Sequence, residues 1–214
     1  ELERHVLERT EQLQVANSEL RREVAERERG ERLQAALYRL AALASLDETS
    51  GNFYRHVHAV VGELIDAKNF YIALLSDDGA TVSFPYAADE HEHDWAARSY
   101  GRGLTELVLR TQRPQLMPRS AVAKMVASGE VHPDVMGTPT CVWLGAPLLS
   151  TEGAIGVVAV QGYEREDAFT ERDAELLTFV SYQIGSTLQR RRAAELLRKA
   201  NAYHEHRVEA RTRE

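Results

Sequence analysis

The densest group of ionisable side chains in the chain is a run of six, Asp89, Glu90, His91, Glu92, His93 and Asp94. Their donors suit a divalent metal, but a closed tetrahedral shell draws its ligands from separated segments, and these six are consecutive. The run reads as a solvated acidic loop. Gly101 and Gly103 form a G-x-G with neither a third glycine nor a strong strand ahead of it. Either the two glycines only let the chain turn into a helix, or the amides of the helix start near Thr105, with Arg102 beside them, hold an anionic ligand group. His56 and His58 stand two apart in a helical pattern, as do His204 and His206. That spacing sends each pair to different helix faces, so they are not paired ligands. Cys141 is the single cysteine, which excludes an internal disulfide, and on a buried strand it reads as a small core residue. No P-loop, no G-x-S-x-G elbow, no H-E-x-x-H helix and no paired-cysteine metal pattern occurs. The chain is therefore not expected to be an enzyme by itself. Neither metal nor cofactor is required by the sequence.

Around these residues the spacing of apolar positions predicts the elements. Phe53, Val57, Val60, Val61, Leu64 and Ile65 share one helical face. Asn69 to Ser76 is rich in strand formers and Asp77-Asp78-Gly79 is a turn, so Thr81 to Tyr86 pairs back as a hairpin, with Pro85 limiting it to an edge or a short run. A polar loop leads to a short helix from Leu104 to Thr111, a brief strand from Gln115 to Met117 and a second short helix from Ala121 to Ser128. The best strands are Cys141 to Leu149 and Ala154 to Tyr163, joined by Thr151-Glu152-Gly153. Both are nearly continuous apolar runs, which implies cover on both sheet faces. The order predicts an α+β fold with a mostly antiparallel sheet.

Both ends of the chain read as charged helix. Leu2, Val6, Leu13, Ala16, Leu20 and Val24 recur at threes and fours among Glu, Arg and Gln, the pattern of a coiled-coil seam. Arg27 to Gly30 interrupts the seam, a candidate hinge, and it resumes at Leu33, Leu37, Leu40 and Ala44. Thr170 caps a last helix with Leu177, Val180, Ile184 and Leu188 on one stripe, and a seam returns at Leu197, Asn201, His204 and Val208. The pattern V-x-x-R-T-x-[QE] occurs at Val6 and again at Val208, and L-x-x-A-N at Leu13 and again at Leu197. The same connector thus precedes and follows the middle region, and a homodimer through these helices is the expected partner arrangement. The expected division is 1–35 for the first helix, 36–190 for a globular domain and 191–214 for a helix leading onward. The chain opens on Glu1 and closes on Glu214 inside a helical pattern, so a piece of a longer protein is expected.

A net charge of −7 with the two signs interspersed leaves no basic face, which argues against nucleic acid as a partner. No apolar run approaches membrane length and no signal peptide opens the chain, so no membrane insertion and a cytoplasmic location are expected.

Three segments carry a family resemblance: Cys141 to Leu149 (CVWLGAPLL), Gly153 to Val160 (GAIGVVAV) and Phe169 to Leu177 (FTERDAELL). Together they resemble the core of a GAF domain, with a strand ending in a PL pair, an IGV strand and F-[ST]-x-x-D-x-x-L-L opening the last helix. Gly103-Leu104-Thr105 with Thr111-Gln112-Arg113-Pro114 is similar to the family's mid-domain helix. The resemblance spans roughly residues 36 to 190. It implies a GAF-like (PAS-like) sheet with helices on both faces and a regulatory sensor role. The flanking helices resemble connectors of bacterial sensor histidine kinases and cyclic di-GMP enzymes, while the chain itself holds no GGDEF, EAL or phosphoacceptor motif. Gln161-Gly162 and Ala174 depart from the cyclic-nucleotide signature of some members, and the pattern of bilin-attaching members is missing. The resemblance implies a pocket for a small molecule between sheet and short helices, lined from Phe84, Tyr86, Arg102, Thr105, Met125, Trp143 and Gln161, unless these side chains only fill the core.

Overall fold

The computed structural model describes residues 2–43, 50–133 and 137–212. Contacts divide the chain into two units, Glu1–Tyr38 and Arg39–Glu214. The first unit belongs to α1 (Leu2–Ala42), a 41-residue helix. α1 runs unbroken through Arg27–Gly30, so the expected interruption does not end it. Gly30 costs a helix about 1 kcal/mol, and paired charges span it. Arg27 reaches Glu31 at 3.1 Å and Arg32 reaches Glu28 at 3.8 Å, both one turn apart. Leu13 and Leu20 are 68% and 61% exposed. Leu33 and Leu37 are half-buried.

The second unit is built on a six-stranded, wholly antiparallel sheet in the order β3-β2-β1-β6-β5-β4. Its strands are β1 (Asn69–Leu75), β2 (Thr81–Ala88), β3 (Arg98–Ser99), β4 (Gln115–Pro118), β5 (Val142–Ser150) and β6 (Gly153–Gly162). The first hairpin turns where Asp78 accepts the Ala80 N–H at 3.0 Å and Gly79 takes φ +70°. α2 (Ser50–Gly62) and α5 (Glu171–Thr212) cover one sheet face. α3 (Leu104–Thr111) and α4 (Arg119–Ala127) cover the other. Every residue from Val142 to Leu148 is buried, which is what the continuous apolar run of β5 implies.

α5 starts at a reciprocal cap. Thr170 Oγ1 accepts the Asp173 N–H at 3.3 Å, and Asp173 accepts the Thr170 N–H at 2.7 Å. Its stripe Leu177, Val180, Ile184 and Leu188 lies at 0 to 6% exposure, and Leu40 at 0%. The subunit seam expected of Leu177, Val180, Ile184 and Leu188 is corrected: α5 presses them onto β5, so they have no surface to offer a second chain. The fit is close enough that a Cβ on Gly185 would stand 2.6 Å from the Leu149 carbonyl oxygen. Leu40, on α1, is likewise buried, and its carbonyl accepts the Thr187 hydroxyl of α5 at 3.3 Å. α5 continues through Gln189–Arg192 without a break to Thr212, and Leu197 is 64% exposed. The side chains of Asn201, His204 and Val208 lie outside the described residues.

Candidate functional site

Side-chain parity decides which residues meet on the α3 face. Tyr71 pairs with Ala159, and Trp143 pairs with Gln161, so all four point to one side of the sheet. Phe84 joins them, but Tyr86 does not. Between Ile72 and Leu74, β1 advances two residues while β2 advances three, from Tyr86 to Ser83. That bulge at Phe84–Pro85 turns Tyr86 to the opposite face, where its hydroxyl meets His58 Nδ1 at 2.9 Å. His58 in turn stacks on Phe70 at 4.6 Å.

Between this face and α3 lies a cavity of about 390 Å³, within the size range of small-molecule sites. Of the residues expected there, Phe84, Thr105, Trp143 and Gln161 line it. Tyr86, Arg102 and Met125 do not. Arg102 is exposed and donates to the Gly129 carbonyl at 3.4 Å, and Met125 packs in the core beneath α4. Sequence reasoning passed over Tyr71, Trp95, Glu92, Asp94 and Arg98, which also line it. The signal for Trp95 was a large aromatic directly after an acidic loop, where solvent alone gives it no reason to be.

Three hydrogen-bonded groups form the floor. Trp143 Nε1–H donates to Tyr71 Oη at 3.0 Å, and Tyr71 Oη lies 2.9 Å from Thr105 Oγ1. Burial pushes the Tyr71 phenol up to about 12, so it stays neutral. Three hydrogens serve two bonds, so one hydroxyl hydrogen of Tyr71 or Thr105 is left without an acceptor among the described residues. Gln161 Nε2 donates to Asp89 at 2.7 Å. A carboxylate only accepts, which fixes the amide's orientation and leaves its carbonyl oxygen without a donor among the described residues.

The acidic run forms the rim, and it is not a bare solvated loop. Asp89 accepts from the Tyr163 hydroxyl at 3.0 Å and from the His91 and Glu92 N–H groups at 2.8 Å. Glu92 accepts the N–H groups of His93 and Asp94, then that of Thr138 at 2.6 Å. These bonds, the Asp94 N–H above all, hold its carboxyl below the usual range. Trp95 is placed over the floor by its indole N–H, which donates to the Glu92 carbonyl at 3.1 Å. Among the described residues no cluster of side chains suits a metal.

The start of α3 is already occupied. Glu106, fully buried, accepts the Gly103 N–H at 3.1 Å and forms a two-pronged ion pair with Arg98. Of the two readings of the G-x-G, an anionic ligand at the helix start finds the Gly103 amide already bonded to the protein's own carboxylate.

Solved structures share this architecture at low identity. The chain matches the A. Aeolicus nlh2 GAF domain in an inactive state with TM-score 0.55, at 16% identity over 75% of this chain and 98% of that one. It matches the GAF domain of a phosphoenolpyruvate-protein phosphotransferase from Coxiella burnetii with TM-score 0.59, at 13% identity over 77% and 96%. It also matches a free methionine-R-sulfoxide reductase from Neisseria meningitidis in complex with its substrate, with TM-score 0.58, at 17% identity over 76% and 91%. Comparison with curated proteins returns no match. The family model of the GAF domain covers residues 47–189, the sheet, all the helices that roof it and the cavity between them, and the chain belongs to that family.

Proposed function

We propose that the chain is a sensor and dimeric transmission module of a bacterial signalling protein. A small molecule enters the cavity, and its presence is relayed through the flanking helices to an output domain, foremost a GGDEF/EAL-type cyclic di-GMP enzyme and alternatively a histidine kinase. One observation carries the reading. β5 and β6 present Trp143 and Gln161 to the cavity, and β5 bears α5 on its other face. A group that shifts the floor therefore pushes on strands that α5 grips at Gly185.

The reductase among the structural relatives raises a catalytic reading. Cys141 argues against it here. Its thiol donates to the Tyr163 carbonyl at 2.9 Å, it does not line the cavity, and it is the only cysteine in the chain. The remaining alternative is a purely structural dimerisation module. Its support is the mutual packing of Tyr71, Phe84 and Trp95, with ring centres 5.0 to 5.7 Å apart. Thermal melting against a library of small metabolites separates the two readings. A ligand selective for the folded state raises Tm with its concentration; a library that never moves Tm leaves only the structural role.

A further inference from the structure

The cavity's chemistry narrows what it can hold, given the sensor reading on which this inference rests. Anions are poorly served. Arg98 is the only basic residue among the described residues of the lining, and the buried carboxylate of Glu106 neutralises it. The helix amide that would greet an anion is bonded to the same carboxylate. Against this balanced pair, Glu92 and Asp94 both stand in the lining, so the wall carries net negative charge. Tyr71, Phe84 and Trp95 add aromatic rings, whose faces attract a cation that is weakly hydrated. Arg98 already lies over Phe84, 5.7 Å from its centre, the same attraction at work within the chain.

The polar floor adds a second requirement. Gln161 offers a carbonyl oxygen without a donor, and the Tyr71–Thr105 pair offers a hydrogen without an acceptor. Tyr71 and Gln161 are near neighbours on one sheet face, because Tyr71 pairs with Ala159, two residues before Gln161 on β6. A ligand hydroxyl both donates and accepts, and so completes both groups at once.

We propose that the cavity binds a small organic cation, a methylated ammonium group lodged among Tyr71, Trp95 and the rim carboxylates, with a hydroxyl on the floor. Both tryptophans of the chain line the cavity, so tryptophan emission, excited at wavelengths tyrosine does not absorb, reports on it. The experiment titrates the whole chain with choline, with tetramethylammonium, with 3,3-dimethylbutan-1-ol, the uncharged carbon copy of choline, and with cyclic GMP as an anion. Choline is expected to change the fluorescence saturably and to bind at least tenfold more tightly than its neutral copy, with tetramethylammonium between them. Trp95→Ala and Asp94→Asn, both at the rim, are expected to weaken choline binding at least fivefold, Asp94→Asn with Tm unchanged and Trp95→Ala with a lower Tm, because its ring packs on Tyr71 and Phe84. Equal binding of the neutral copy, or tighter binding of cyclic GMP, overturns the cation and leaves the sensor reading standing. If choline and tetramethylammonium do not bind, the proposal also fails, and the metabolite library then decides whether the sensor reading fails with it.

Discussion

Tyr71 concentrates the residue-level energetics of the site. It is the acceptor for a buried indole N–H, and burial holds its phenol neutral. Tyr71→Phe strands the Trp143 donor, at an expected cost of about 1–3 kcal/mol read from urea unfolding. The pH dependence has a definite sign. A phenol whose folded pKa is raised from 10.0 to about 12 contributes stability that is complete below pH 10 and is lost as pH rises through about 12. The variant is therefore expected to lose less stability than the native chain between pH 10 and 12, and an equal loss in both would contradict this account. Some of the site was legible in the sequence. Thr105, Trp143 and Gln161, which the family resemblance implied for a pocket between sheet and short helices, line the cavity, though strand parity alone did not say which face they take. Tyr71 was hidden inside an unbroken apolar strand, where period-two alternation is masked because both faces are covered. Tyr86 could not be placed from spacing, since one extra residue in β2 reverses the side on which everything beyond it points.

Elements were easier to read than contacts. The turns at Asp77–Gly79 and Thr151–Gly153 and the Thr170 cap depend on local chemistry, and each forms where its residues stand. The stripes of α5 misled for a physical reason. An apolar helical face is written in the same letters whether it covers its own sheet or a second chain, and only the presence of β5 beneath Leu177 to Leu188 distinguishes the two. Gly185 shows how close that cover is. Gly185→Ala gains about 1 kcal/mol of helix propensity. It also places a methyl 2.6 Å and 2.9 Å from backbone atoms of Leu149, which cannot yield as a flexible side chain does. Overpacking of this kind costs typically 1–3 kcal/mol, so the net expectation is a Tm lower by a few degrees in a melting curve. Gly30→Ala, where nothing stands within 4 Å, provides the opposite case and is expected to be neutral or stabilising.

At the scale of the molecule, the repeated connector gives the dimer reading its own test. Leu13 and Leu20 are exposed within one chain. Leu13→Lys with Leu20→Lys should therefore leave cavity fluorescence untouched while shifting the sedimenting species from dimer to monomer; a dimer that survives would remove α1 from the interface. No helix among the described residues is long and apolar enough to cross a membrane. α5 has a mechanical meaning of its own. Its first half is held to the domain as far as Arg192, where Arg191 reaches the Leu43 carbonyl and Arg192 reaches Asp77, and from there to residue 212 it runs on as a lever about 30 Å long at 1.5 Å per residue. Swinging that arm through roughly 5° at its fulcrum carries the tip about 2.6 Å, more than the rise of a helical residue. In the proposed dimer, a displacement too small to notice beneath Trp143 would be enough, at the far end, to exchange one set of facing side chains for the next.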